Sequence, residues 1–215
     1  MIVDYVQARE RMVQEQLVSR GIKDPRVLWA MAKVPRHLFV EGELWNQAYD
    51  DHPLPIGAGQ TISQPYMVAL MVEALGLKGT ERVLEVGTGS GYAVAVLAEL
   101  CAQVFSVEGV EDLALKAGTT LTSLGYRNVS VLVADGTLGW EEHAPYDAVV
   151  ISAAAPCIPR PLLEQVRTPG YLVLPMGEKE LQTLVRIRKD GEGIREEYLG
   201  ECRFVKLRGK YGWED

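Results

Sequence analysis

Glu85-Val86-Gly87-Thr88-Gly89-Ser90-Gly91 places three glycines directly after a strand-like run, "RVLEV", and directly before a helix-like one, "GYAVAVLAEL". Glycine at such a turn permits a tight reversal and lets the main chain approach a ligand closely. The spacing is G-x-G-x-G, and Tyr92 fills the place that would complete a dinucleotide GxGxxG. A turn of this kind suits a nucleoside ligand without phosphates, such as S-adenosyl-L-methionine, which asks for close backbone approach and polar contacts to an amino-acid tail. Acids recur at the ends of successive strand candidates. Glu85 can orient the turn and an ammonium group. Glu108, ending "VFSVE", can accept both hydroxyls of a ribose, and Asp135 with Gly136 in "VLVADG" stands where an adenine edge can be read. Any one of these acids is equally a solvated strand end. Three together on the carboxyl edge of one sheet, where open α/β sheets bind ligands, point to a nucleoside-containing cofactor. Thr88 and Ser90, between the glycines, complete the candidate contacts.

A second stretch, "GQTISQPYMVALM" from Gly59 to Met71, turns abruptly from polar to apolar. Ser63 there has three readings. A covalent nucleophile needs an adjacent base, and Ser63 has no GxSxG setting, while the nearest histidine in sequence, His52, lies in a punctuated loop. A helix N-cap fits its place before Gln64-Pro65 and an apolar run. A clamp for an anion is compatible with the cap, because capping uses the hydroxyl oxygen and leaves its hydrogen free to donate.

The elements that must position these residues follow from periodicity. Beyond Arg82, apolar strand candidates "RVLEV", "QVFSV", "VSVLV" and "DAVVIS" alternate with helix candidates "GYAVAVLAEL" and "EDLALKAGTTLTSLG". That rhythm predicts a doubly wound, Rossmann-like parallel sheet with helices on both faces. Near the end, Asp190-Gly191 between strand-like pieces predicts a hairpin and an antiparallel edge. The first sixty residues differ. Val6, Val13 and Leu17 near helical spacing, with Gly21 as a stop, predict one helix; Asp24-Pro25 opens a second with Val27, Leu28 and Met31 on its apolar stripe, ended by Val34-Pro35. "EGELWNQAY" is a further short helix candidate, and "DDHPLPIGAGQTIS" reads as irregular loop, too rich in proline and glycine for regular structure. The predicted organisation is a single domain, with residues 1–62 as helical cap and active-site loop and 63–215 as the α/β core.

Composition narrows the function. The 215 residues, 47% hydrophobic, can bury a substantial core. No apolar run approaches the roughly eighteen residues that span a bilayer, and "MIVDYVQARERMVQEQL" lacks the apolar centre of a signal peptide, so the expectation is a cytoplasmic protein away from membranes. A net charge of −7 weighs against nucleic acid. The basic runs "RIRK" and "RFVKLRGK" lie on strand-like alternation and read as solvated sheet faces. Cys101, Cys157 and Cys202 form no CxxC pair, and His37, His52 and His143 are scattered, so neither a disulfide framework nor a metal is expected.

Together "VPRHLFV", "AYDDHPLPIGAGQTISQPYMVALM", "VLEVGTGSGY", "ADGTLGW", "APYDAVVISAAAPCIP" and "LLEQVRTPGYLVLPMG" resemble the protein-L-isoaspartate O-methyltransferase family, from about Val34 to the C-terminal strand. The glycine turn is generic to S-adenosyl-L-methionine-dependent enzymes, whereas "GQTIS" and "APYDA" are more specific. The resemblance implies a class I methyltransferase fold. It also implies methyl transfer from S-adenosyl-L-methionine, leaving S-adenosyl-L-homocysteine, to the free α-carboxylate of L-isoaspartyl residues in damaged proteins or peptides. The ester then collapses to a succinimide that can reopen to aspartate, which makes the activity repair. Ser63 matches the family's active-site serine, and the loop carrying Thr61 borders the cofactor there. Gly87, Gly89, Gly91, Glu108, Asp135 and Gly136 match cofactor-binding positions. Lys206 stands where members commonly have proline, and Tyr171 replaces the second glycine of a usual "PGG". A monomer is the expected state. Against this stand a methyltransferase for small molecules or nucleic acid, a dinucleotide oxidoreductase, and a binding module that keeps the fold without turnover.

Overall fold

Aspartate caps and glycine stops set the N-terminal helices. In the computed structural model, which describes residues 4–214, Asp4 accepts hydrogen bonds from the Val6 and Gln7 N–H groups and opens α1, Tyr5–Arg11. The helix widens into a π-type segment, Met12–Leu17, tightens over Val18–Arg20, and stops at Gly21 with φ +94°. A π segment carries more residues per turn and rotates the buried face. Met12, Val13 and Leu17 therefore point inward, while Val6, expected on the same stripe, is 54% exposed. Asp24 caps α2, Pro25–Lys33, through the Arg26 N–H, and Val27, Ala30 and Met31 are buried. "EGELWNQAY" contributes the tight helical turn Gly42–Gln47. Residues 1–3 of the charged N-terminal stretch lie outside the described residues.

The proline- and glycine-rich stretch is not irregular. Leu54–Gly57 (β1) and Gln60–Ile62 (β2) form an antiparallel hairpin. Leu54, Ile56 and Ile62 supply a buried, period-two apolar face, and Gly57, Ala58 and Gly59, all at positive φ, make the reversal. The same glycines that argued against a strand are what the turn requires.

Among the described residues the main sheet has seven strands. They are β3 Arg82–Val86, β4 Gln103–Glu108, β5 Val129–Val133, β6 Tyr146–Ile151, β7 Val166–Gly177, β8 Gln182–Asp190 and β9 Gly193–Cys202, in the spatial order β5-β4-β3-β6-β7-β8-β9. Strands β5 through β7 in that order are parallel, and β7, β8 and β9 are antiparallel neighbours. The Asp190-Gly191 signal marks the β8–β9 turn, closed by the pair Asp190–Gly193. Helices α3 Pro65–Leu75, α4 Tyr92–Ala98, α5 Glu111–Ser123 and α6 Arg160–Gln165 complete the fold.

Both faces of the sheet are apolar, which explains the continuous rather than alternating apolar strands. On one face a single cluster joins Met12 and Leu17 to α3, α4, Val83 and Val104; on the other Leu84, Phe105, Val149 and Leu162 pack together. The order of strands across the sheet reverses between the parallel neighbours β3, from which the chain moves outward to β4 and β5, and β6, from which it moves the other way to β7. Such a switch point leaves a crevice at the carboxyl ends of the strands. The basic run "RFVKLRGK" departs from the strand reading. It follows the end of β9 and crosses the crevice as a strap, held by the Phe204 N–H to Gln182 Oε1 of β8 at 2.9 Å and by an isolated bridge between Lys206 and Ala154, just past β6. Among the described residues no helix is long and apolar enough to cross a membrane.

Candidate active site

The glycine turn leaves β3 at the crevice. Gly87, Gly89 and Gly91 all take positive φ, and a side chain at Gly91 would press its Cβ to within 3.2 Å of the Ala117 Cβ on α5. Gly136 is needed for space instead: a Cβ there would come within 2.6 Å of Val86 Cγ1. Glu108, at the end of β4 and 7% exposed, faces the turn. Its Oε2 accepts from the Gly89 N–H at 2.8 Å and its Oε1 from the Val110 N–H at 3.0 Å. Each carboxylate oxygen has a second lone pair to offer, and Glu108 borders a cleft together with Thr61, Gly87, Gly136 and the strap residues Val205–Arg208.

Beneath the turn lies a buried polar chain. Glu85, fully buried, accepts from the Ser106 hydroxyl on β4 and the Ser152 hydroxyl just past β6, both at 3.1 Å. The Ser106 hydroxyl is also 2.6 Å from that of Thr88. Burial pushes the Glu85 carboxyl up to about 8; the two serine hydrogen bonds pull it down and the nearby Glu108 charge adds to the rise. Thr88 thus turns its side chain inward and offers a ligand only its backbone. Ser90 accepts weakly from the Tyr92 N–H at 3.3 Å, at the start of α4.

Asp135 engages both oxygens elsewhere than in the cleft. The Thr137 N–H and hydroxyl bind Oδ1 at 2.9 and 2.6 Å, and the Lys210 N–H binds Oδ2 at 2.8 Å. Burial would raise this carboxyl, but these hydrogen bonds outweigh it and hold it below the ordinary range. The carboxylate packs so closely on Gly209 that any side chain there would collide with it. Gly136 lines the cleft while Asp135 latches the strap.

Ser63 is not the helix cap. Gln64 occupies the cap of α3, makes no side-chain cap hydrogen bond, and sends its Nε2 to the Asp51 carbonyl at 3.1 Å. Ser63 lies one residue before that cap position, outside the first turn that a capping side chain serves. The Ser63 oxygen is therefore not spent on the helix. With Thr61, Ser63 borders two spaces at once: an inner cavity over the glycine turn and α4, and an outer groove between α3 and the end of β9 that reaches Arg20, Tyr66 and Arg203. No histidine borders either space, and His52 turns Nδ1 to its neighbour's carbonyl at 3.0 Å. Among the described residues no cluster could hold a metal ion.

Thr61, Ser63, Glu85, Gly87, Thr88, Gly89 and Ser90 all border the inner cavity, and Glu108 and Gly136 join Gly87 and Gly89 on the adjoining cleft. Sequence reasoning missed Ser106 and Ser152. Their signal was a lone hydroxyl interrupting an otherwise apolar strand, in "QVFSVE" and "DAVVIS". It also missed the strap, whose Lys206 lines the cleft, and the Arg20–Asp51 ion pair at 2.9 Å, whose arginine stacks on Tyr66 at 3.6 Å in the outer groove. Tyr171 stands in β7 beneath the Arg186 guanidinium, 4.3 Å away, and borders none of these spaces.

Comparison with known proteins returns one family repeatedly. A family model described as protein-L-isoaspartate(D-aspartate) O-methyltransferase matches residues 7–212. Protein-L-isoaspartate O-methyltransferase 1 of Syntrophobacter fumaroxidans is 56% identical over 213 residues, 99% of this chain and 100% of that one. The protein-L-isoaspartate O-methyltransferase of Geobacter metallireducens is 58% identical, with 96% of each chain covered. Among solved structures, one protein-L-isoaspartate O-methyltransferase superposes with a TM-score of 0.86 at 28% identity, covering 95% of this chain and 67% of that one. A Plasmodium falciparum protein described as the same enzyme, in complex with S-adenosyl-L-homocysteine, superposes with a TM-score of 0.79 at 27% identity, over 93% and 98% of the two chains.

Proposed function

The chain belongs to the protein-L-isoaspartate O-methyltransferase family, and from that premise we propose that Ser63 holds the substrate carboxylate at the mouth of the cavity over the glycine turn, with Thr61 beside the cofactor. The enzyme transfers the methyl group of S-adenosyl-L-methionine to the free α-carboxylate of L-isoaspartyl residues in damaged proteins and peptides.

The residues present fit that cofactor. The inner cavity is bordered by a carboxyl group and hydroxyls and by no lysine or arginine, which suits a sulfonium and an ammonium and not a pyrophosphate. Glu108 has lone pairs to spare for two ribose hydroxyls, and the missing Cβ of Gly136 leaves the cleft open beside Val86. We assign Glu108 to the ribose, the Gly87–Gly91 main chain with Thr88 and Ser90 to the amino-acid portion, and Glu85 to its ammonium. Gly136 is assigned to the adenine side, and Asp135, expected there from the sequence, instead holds the strap that borders the same cleft. Bound S-adenosyl-L-methionine supplies an electrophilic methyl group that needs no activation by the protein.

What the chain must do is position. The substrate carboxylate is already ionised at neutral pH, since such groups titrate near pH 4, so no general base is required. Holding the attacking oxygen in line replaces a bimolecular encounter by an oriented one, an effect that can reach several kcal/mol, roughly 7–11 at its largest. The Ser63 hydroxyl, unspent on capping and at the N-terminal end of α3, is suited to donate to an anion. The observation that carries this reading is that the Thr61–Ser63 segment borders both the inner cavity and the outer groove without a base beside it.

The test is labelled methyl transfer to paired peptides that differ only in isoaspartate or aspartate at one position. Base-labile label on the isoaspartyl peptide alone is expected; equal labelling of both overturns the reading. The net charge of −7 supports protein over nucleic acid as partner. We further read the chain as one domain, cap and core sharing an apolar cluster, and as a cytoplasmic monomer; light scattering tests the oligomeric state.

A further inference from the structure

Thr61 and Ser152 border all three spaces of the site: the inner cavity, the cleft under the strap and the outer groove. Thr61 is on β2. Ser152 comes from the opposite wall, immediately past β6 at the switch point, held there by its N–H to the Val86 carbonyl at 2.8 Å. Arg20 and Arg203 border the outer groove, Arg20 being paired with Asp51 and stacked on the Tyr66 ring, and Lys206 and Arg208 border the cleft under the strap. The inner cavity has no lysine or arginine, and the side-chain donors around it are hydroxyls. A carboxylate has two oxygens, and Ser63 serves one wall.

Resting on the methyl-transfer reading above, we propose that Ser152 is a second hydroxyl donor to the isoaspartyl α-carboxylate, opposite Ser63, with Glu85 governing where its hydrogen points. A hydroxyl has one hydrogen to give. Here the Ser152 hydrogen goes to Glu85 Oε1, while Ser106 donates to Oε2 and lies next to Thr88. Whenever Glu85 acquires another donor, whether its own proton or a cation in the cavity it faces, the Ser152 hydrogen is released to rotate toward the groove. The serine then leaves its oxygen toward Glu85 and its hydrogen toward the substrate. With either donor in place the Ser152 hydrogen can serve a carboxylate without moving the backbone. Ser152 also follows an apolar strand in which no other side chain near the junction could supply a donor: Val149, Val150 and Ile151 precede it and three alanines follow.

The test uses the full chain with saturating S-adenosyl-L-homocysteine and fluorescent isoaspartyl peptides carrying either the free α-carboxylate or its carboxamide. Wild type should bind the carboxylate peptide more tightly. Ser152→Ala should weaken that peptide by about tenfold or more, as loss of a hydrogen bond to a charged group implies, and leave the carboxamide peptide unchanged. Ser152→Thr, which keeps the hydroxyl, should restore the preference. S-adenosyl-L-homocysteine affinity should stay within about twofold in both variants, well under the tenfold change that 1.4 kcal/mol represents. Undiminished carboxylate affinity in Ser152→Ala, equal weakening of both peptides, failure of Ser152→Thr to restore the preference, or a parallel loss of S-adenosyl-L-homocysteine affinity each overturns the proposal. Absence of isoaspartyl-selective methylation in wild type overturns instead the reading on which it rests, so the two failures are told apart.

Discussion

Ser63 and Glu85 show how differently one polar side chain can be used. Ser63 is half-buried at the end of the hairpin, with a hydroxyl that α3 does not need. Ser63→Ala should lower kcat/KM for an isoaspartyl peptide about 10- to 100-fold, the size of one hydrogen bond to a charged group, with S-adenosyl-L-methionine affinity intact. Unchanged turnover at saturating peptide removes Ser63 from the clamp. Glu85 titrates from an ordinary 4.5 to about 8 because burial disfavours its charge. The folded state therefore keeps a proton that the unfolded chain has lost, and this group's contribution to stability is fullest below pH 4.5 and declines as pH rises through about 8. Glu85→Gln should flatten that part of the pH dependence of Tm. A cationic ligand favours the ionised carboxylate, so binding near pH 7 should release a proton. Calorimetry in two buffers of different ionisation enthalpy reads that proton, and Glu85→Gln should abolish the difference; identical wild-type enthalpies detach Glu85 from the cofactor.

At the scale of elements, the strap and the glycine turn are the pieces that must be held. Asp135 reaches across 75 positions to Lys210, Thr137 receives the Tyr211 N–H at 3.1 Å, and Trp213 Nε1 donates to the Ala154 carbonyl at 3.0 Å. Asp135→Ala removes the acceptor of the Lys210 N–H and of both Thr137 donors and should free residues 205–213, read as faster amide exchange there, with weaker S-adenosyl-L-homocysteine binding. Exchange confined to wild-type rates denies the latch. Gly91→Ala places a Cβ at φ +87° against Ala117, and should cost about 1–2 kcal/mol of stability through the left-handed backbone alone. Denaturant unfolding measures it.

Over the whole molecule, one sheet separates two apolar clusters, and the N-terminal helices belong to the larger of them. Leu17, fully buried in the cap, should therefore behave as a core residue of the entire fold. Leu17→Ala should lower stability by about 2–5 kcal/mol and shift a single calorimetric transition. A separate low-temperature transition for the cap contradicts one domain. The sequence by itself determined whatever depends on neighbours within a turn or two: the glycine reversal, the alternating strands and helices, the Gly21 stop and the Asp24 cap. It also placed Glu85, Glu108 and Asp135 at or just beyond strand ends, because strand length is written in the apolar runs. Tertiary structure alone decided which of those ends face one another. Strand order brings Ser106 and Ser152 to Glu85, a 75-residue separation is closed between Asp135 and Lys210, and apolar burial of Leu54, Ile56 and Ile62 makes a hairpin of a stretch that local propensity reads as loop. Propensity acts along the chain, whereas a buried polar group must find its partner wherever the fold has left one, and that partner is seldom a neighbour in sequence.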